Sequence, residues 1–326
     1  MHNVNKANIS SRSLAVIFGT GPAGVWTARA LGEMGHQVRA INRTGTRPAL
    51  MPAEVDIVAA DASDVRQAIE AARGAAVVYQ ALNPPYNKWP ELFPTLQRVV
   101  MEAARAAGAR YVSIDNLYGY GRVSGTLTEE AGPTPNTRKG RLRLAMTQEV
   151  LEAHARGDIS AAIVQASDYY GPGVRLSQFG ERTFKPLLAG KPADVVGNAD
   201  LPHSYAYIED VGRAAAVLGT RPEAPGRVWF APHAPAVTQR AMVEEACRQV
   251  GVAPRLRIIG PIMMRLAGLF VPAARESVEM LYQFTEPWVV SSDAIESAFG
   301  LKPTPIAEGL RRTVAWWRKS LPTAGA

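Results

Sequence analysis

Cysteine is nearly absent: one residue in 326, Cys247, excludes an internal disulfide and fits a reducing compartment. Its surroundings, RAMVEEACRQVG, have helical spacing, so Cys247 is expected in the core. No apolar run approaches the roughly 20 residues that span a bilayer, and the opening MHNVNKANISSRS carries no apolar stretch of the kind a secretory signal needs. The expected compartment is the cytoplasm, with no membrane partner. Zinc-ligand spacing, an RNA-binding signature and a long Lys/Arg tract are missing too, so no metal site and no nucleic acid are expected. The net charge of +7, from 36 basic and 29 acidic side chains, is scattered. A small anionic ligand explains such an excess.

What is present is alternation. Apolar, β-branched runs at 13–19, 37–42, 55–60, 75–82, 110–115 and 160–167 read as strands buried on both faces. Between them, helical spacing marks 22–34, 64–73, 89–107 and 141–156; in 89–107 the apolar stripe is Leu92, Leu96, Val99, Val100, Ala103 and Ala107. Strand and helix in turn imply right-handed crossovers and a parallel sheet covered on both sides. After Gly171 the rhythm breaks, leaving strands at 226–232 and 255–260 and a helix at 238–251 capped by Thr238 and closed by Gly251. The expected fold class is therefore α/β: a Rossmann-type doubly wound parallel sheet with a smaller C-terminal α+β substrate lobe. Its divisions are a tail at 1–12, a dinucleotide-binding domain at 13–171, and a lobe at 172–326 from which about 200–232 returns to the first domain.

VIFGTGPAGVW places Gly19, Gly21 and Gly24 in GxGxxG spacing at a strand-to-helix junction. The first glycine permits the turn, the second admits a pyrophosphate, and the third lets helix and strand pack. With Pro22 and Ala23 they form the phosphate end of a dinucleotide site, where helix N–H groups meet the ligand. Strand two ends in INRTG. Asn42, Arg43 and Thr44 offer a guanidinium and no carboxylate, which suits a 2′-phosphate. NADP(H) is the expected cofactor, NAD(H) the alternative.

VAADASD, YQALNPP, SDYYGPGV, HSYAYIEDVGRAA and AFGLKPTPIAEGLRRTVAWWR, in this order along nearly the whole chain, are similar to motifs of the extended short-chain dehydrogenase/reductase superfamily, also called the NAD-dependent epimerase/dehydratase family. The resemblance implies adenine contacts at Asp61 and Ala62. It implies a cofactor-lining backbone at Ala81, Leu82, Asn83 and Ser113, and further contacts at Lys139, Ala166, Ser167 and Asp168. Tyr86, Tyr170, His203 and Trp288 are the implied substrate residues, and a homodimer through 89–107 and 141–156 is the implied assembly.

The same resemblance exposes a gap. The family uses a Ser or Thr, and a Tyr and Lys spaced YxxxK. Four residues before Tyr118 stands Ile114, and no tyrosine occurs in the helix at 141–156 or the stretch leading into it. The ungapped register places Lys139 and Arg143 where Tyr and Lys belong; a second register gives Arg141 and Ala145. The catalytic candidates are accordingly Lys139, Tyr118, Asn116 and Arg143, with Lys139 or Tyr118 as proton donor, a rewiring comparable to that in the plant progesterone 5β-reductase and iridoid synthase group. Cations such as Arg138, Lys139, Arg141 and Arg143 are unfavourable at a helix N-terminus, which points to a ligand there. Three functions fit: an NADP(H)-dependent oxidoreductase acting on a small ketone, aldehyde or enone; a nucleotide-sugar epimerase or dehydratase; or a non-catalytic NADP(H) sensor.

Overall fold

The structure, a computed structural model, describes residues 12–270 and 272–321. All but the last residue of the expected tail at 1–12 lies outside the described residues. Two compact units result. The first takes the described residues up to 119, then 139–165 and 209–231; the second takes 120–138, 166–208 and the described residues from 232 on. Segment 120–138, assigned to the first domain from sequence, thus groups with the second unit. The returning segment is 209–231, shorter than 200–232, because the strand Tyr205–Tyr207 pairs inside the second unit with Asp168–Tyr170.

A seven-stranded sheet organises the first unit: β1 (Leu14–Phe18), β2 (Gln37–Asn42), β3 (Asp56–Ala59), β4 (Ala75–Gln80), β5 (Arg110–Asn116), β6 (Ala161–Ala166) and β7 (Val228–Phe230). Their order is β7-β6-β5-β4-β1-β2-β3, with parallel pairing. Each expected strand exists with its ends within two residues of expectation; β2 matches, β5 runs one residue further to Asn116, and the others are trimmed. The continuous apolar runs have their reason: Ala15, Val16, Ile17 and Phe18 are all 0% exposed, as a strand covered on both faces requires.

Helices α1 (Pro22–Glu33), α2 (Val65–Ala72), α3 (Trp89–Ala106) and α4 (Arg138–Ala155) fall between these strands. α2 starts where Asp64 accepts from the backbone N–H of Arg66 and Gln67, a side-chain cap for orphan donors. In α3 the buried spine is Trp89, Phe93, Gln97, Val100, Ala103 and Ala104, while Leu92 stays exposed. The expected stripe is displaced because Trp89 and Phe93 pack with Met146 and the Gln97 amide donates to the Met146 carbonyl at 2.9 Å. α4 begins at Arg138, three residues earlier than its apolar spacing indicates. The helix Ile208–Thr220 ends against Arg110, whose guanidinium donates to the carbonyls of Gly219 at 2.9 Å and Arg221 at 2.7 Å. A cation belongs at that end of a helix.

The second unit is built from short pairings: Ala193–Val196 with Leu256–Ile259, Asp168–Tyr170 with Tyr205–Tyr207, Thr126–Leu127 with Val289–Val290, and Pro202–His203 with Val237–Thr238. Its core gathers Phe179, Phe184, Tyr205, Met242, Leu310 and Trp317. Cys247 belongs to this core, and burial pushes its thiol up. The helix Gln239–Val250 is capped by the Thr238 hydroxyl and closed by Gly251 at φ 84°, as expected.

Candidate active site

The strand-to-helix turn after β1 is shaped from both sides by the protein. Gly19 has φ 108°, and a Cβ there would lie 2.5 Å from the Ala81 carbonyl oxygen; a Cβ on Gly24 would lie 2.0 Å from the Gly19 carbonyl oxygen. Gly21 is different: a Cβ there meets nothing within 4 Å. The outer glycines are demanded by packing, whereas the middle one borders open space, the profile of a cradle for a pyrophosphate. No side chain caps α1 at Gly21, and Pro22 opens the helix without an N–H; the backbone N–H groups of Ala23 and Gly24 stand at the positive end of the helix dipole.

At the end of β2, Asn42 organises the neighbouring loop. Its amide nitrogen donates to Thr20 Oγ1 at 3.1 Å and the Thr46 carbonyl at 2.8 Å, and its oxygen accepts from the Thr44 N–H at 3.1 Å. Arg43 is exposed beside it. Asp61 is held below the usual carboxylate range by the Ser63 N–H and hydroxyl, with a smaller contribution from Arg43; Ala62 is buried behind it. The Ala81 N–H donates to the Phe18 carbonyl at 2.8 Å, fixing Ala81 and Leu82 beside Gly19. Asn83 spends its side-chain oxygen on Trp89 Nε1 at 3.1 Å.

The acid–base half is organised differently from expectation. Arg143 is 1% exposed, and its Nε lies 2.6 Å from Asp115 Oδ1, with a second guanidinium nitrogen closer still. Its remaining nitrogen donates to Met146 Sδ at 3.4 Å, and its plane sits 4.1 Å from the Phe93 ring centre and 5.6 Å from that of Trp89. Thr147 donates to the other oxygen of Asp115 at 3.3 Å, and Gln165 donates to Thr147 at 3.2 Å. A guanidinium so engaged has no edge left for a cofactor: Arg143 neutralises a carboxylate that β5 buries. An aspartate in an apolar strand signals a paired charge, but not which cation pairs with it.

Lys139 is 3% exposed, with Nζ 4.4 Å from the Tyr86 ring centre. Arg141 and Ala145 are exposed, so the buried face of α4 carries the Lys139 and Arg143 register. Tyr118 is half-buried against Trp89, at 6.0 Å between ring centres. Asn116 accepts the Tyr118 N–H at 3.0 Å, an intraloop brace. Ser113, 2% exposed, shares a strand face with Tyr111 and hydrogen-bonds it.

In the second unit, Asp168 Oδ2 lies 2.9 Å from His203 Nε2, and His203 Nδ1 lies 3.0 Å from the Gln283 carbonyl. Ala166 is buried. The Ser167 N–H donates to His233 Nε2 at 3.1 Å, while its hydroxyl accepts from Trp288 Nε1 at 3.1 Å. His233 carries no motif signal and was not anticipated. Trp288 is buried, and Tyr170, 0% exposed, belongs to the hydrophobic core instead of overhanging a ligand. Among the described residues no group of three His, Cys, Asp or Glu could hold a metal ion, and no helix is long and apolar enough to cross a membrane.

A family model described as NAD dependent epimerase/dehydratase family matches residues 15–230. The chain belongs to that family. A curated relative, the 3-diazoavenalumate denitrifying reductase of Streptomyces sp, is 29% identical over 305 residues, covering 87% of this chain and 94% of the relative. Among solved structures, the UDP-glucuronic acid 4-epimerase of Bacillus cereus, in complex with UDP-glucuronic acid and NAD, superposes with TM-score 0.75 at 18% identity over 94% of this chain and 100% of the other. The dTDP-glucose 4,6-dehydratase of Streptomyces venezuelae, with NAD bound, does so at 0.74 and 17%, covering 94% and 97%. These two likenesses establish the epimerase/dehydratase fold. No YxxxK occurs in α4.

Proposed function

We propose that this chain is an NADP(H)-dependent reductase of a small electrophile. One contrast carries the proposal: the glycine turn has the packing expected of a pyrophosphate cradle, while α4 contains no YxxxK and Arg143 is bonded to Asp115. Gly21 with the N–H groups of Ala23 and Gly24 would receive the pyrophosphate, and Arg43 the 2′-phosphate. Bound there, the reduced nicotinamide would supply a hydride. Lys139, sealed against Tyr86, keeps a cation near the start of α4, suited to negative charge developing on a substrate.

Epimerisation or dehydration of a nucleotide sugar begins by removing a hydroxyl proton and needs an efficient base. That is the function the altered helix serves least. Reduction of ketones, aldehydes and enones needs a hydride and a proton. An arenediazonium ion is reduced by one hydride, which replaces the departing N₂ and needs no proton on oxygen; the name of the Streptomyces relative, a denitrifying reductase of a diazo compound, motivates including this substrate class.

Titration with NADPH, NADH and their oxidised forms, followed by a panel of ketones, enones and arenediazonium ions, tests the proposal. Preferential NADPH binding with turnover is expected. Binding without turnover on any substrate identifies a sensor instead. Arg43→Ala is expected to weaken NADPH by roughly 10- to 100-fold, the worth of a charge-assisted hydrogen bond, and to leave NADH unchanged. Equal affinity of the wild type for both cofactors overturns the assignment of Arg43.

A further inference from the structure

Large apolar side chains are exposed singly on most protein surfaces; here they gather. Of the eleven that are exposed among the described residues, seven fall within residues 252–270. Five of these stand on one helix of the second unit, Pro261–Phe270: Ile262, Met263, Leu266, Leu269 and Phe270, between 46% and 86% exposed. At roughly 100° per residue they cover a continuous arc of about 120°, with Arg265 at its edge and Met264 and Gly268 on the opposite side. That opposite side is the packed one. Met264 joins a core cluster with Val196 and Leu281, and a Cβ on Gly268 would lie 3.0 Å from the Arg275 Cα, so the next helix, Pro272–Val278, passes close beneath it. The helix thus turns its broad apolar face to water and its narrow one to the protein, the reverse of an ordinary surface helix.

The charges of this stretch have one sign. Residues 246–275 contain five arginines and no aspartate or glutamate. Two of the five pair with carboxylates from outside it, Arg248 with Glu245 and Arg257 with Asp194. Arg255, Arg265 and Arg275 are exposed and leave the stretch positive. The next acids along the chain, Glu276 and Glu279, both engage Arg138.

We propose, independently of the reductase reading, that the helix Pro261–Phe270 docks on the surface of an anionic lipid bilayer, its apolar arc in the headgroup–acyl boundary and its arginines at the phosphates. A bilayer accepts a protruding apolar helix without a preformed socket, and anionic headgroups supply the counter-charge that the stretch lacks. A second copy of the chain supplies neither: a two-fold contact sets like against like and brings the same arginines together. The net charge of +7 works in the same direction as the arginines. With ten residues the helix is about 15 Å long, so it lies on the bilayer and does not cross it.

Flotation of the full-length protein with phosphatidylcholine vesicles, with and without phosphatidylglycerol, tests it. Binding at least about 10-fold tighter to the vesicles that contain phosphatidylglycerol is expected, weakening as salt screens the charges. Leu269→Ser with Phe270→Ser should lower that affinity by about 10-fold or more, because the apolar area that enters the boundary is lost. Arg265→Gln with Arg275→Gln should instead remove most of the preference for phosphatidylglycerol. Both double variants change exposed side chains and should keep the melting temperature of the wild type. An environment-sensitive fluorophore on Leu269→Cys, selective because Cys247 is buried, should shift its emission to the blue on the anionic vesicles. Absence of binding to either vesicle, equal binding to both, or undiminished binding of the serine variant overturns the assignment. A dimer that the serine variant dissolves, in a protein that ignores vesicles, overturns it too and gives the face to a second copy.

Discussion

Arg143→Met is expected to lower the stability of the fold by about 3–5 kcal/mol, the cost of removing one partner from a buried ion pair. The guanidinium is 1% exposed and Asp115 is 5% exposed, so methionine restores the volume and contact with Phe93 and Trp89 but takes the Arg143 guanidinium away from the Asp115 carboxylate. Lysine at this position should recover only part of the loss, because an ammonium cannot bond Asp115 through two nitrogens while stacking flat on Phe93. The double variant Asp115→Asn with Arg143→Met should be more stable than Arg143→Met alone, since the buried negative charge is gone. Urea unfolding midpoints read all three. If Arg143 instead held a cofactor ribose, its replacement would weaken NADPH binding and leave the midpoint near that of the wild type.

The second large effect separates two glycines that look alike in sequence. Gly24 lies inside α1, where alanine is intrinsically favoured by about 1 kcal/mol. Sterics oppose this: the new Cβ would meet the Gly19 carbonyl oxygen at 2.0 Å, a clash that forces the turn open at a cost of about 1–3 kcal/mol or more. Gly24→Ala should therefore lower stability and reduce NADPH affinity by at least about 100-fold, the equivalent of some 3 kcal/mol. Gly21→Ala should behave otherwise. Its Cβ meets nothing within 4 Å, so the melting temperature stays near wild type while a methyl group stands where a pyrophosphate must approach. Calorimetric unfolding and NADPH titration of the two variants test the cradle: loss of stability with lost binding in one, lost binding alone in the other. Unchanged NADPH affinity in Gly21→Ala removes the phosphate role from this turn.

The contrast between these two sites shows what could be read from the chain alone. Residues 13–19 and 75–82 are legible as strands because a strand buried on both faces has no polar alternation to disguise it. The glycine turn is legible because backbone conformation and close approach are local demands, met within six residues. Thr238 and Gly251 delimit their helix for the same reason. These features, with the family motifs, were enough for the fold.

What the tertiary structure alone decided involves charge partners far apart in sequence. Asp115 finds Arg143 across 28 positions, and Asp168 finds His203 across 35. Periodicity reports which face of an element is apolar; it carries no information about which buried charge meets which. For that reason Arg143, placed by motif spacing at a catalytic lysine, became a strut under β5, and Tyr170, placed by motif at a ligand, became core. The displaced spine of α3 has the same origin, since Trp89 and Phe93 are drawn to Met146 by packing that no local pattern encodes. Local rules wrote the sheet and its glycine turn, and the need to neutralise charge away from water chose the partners.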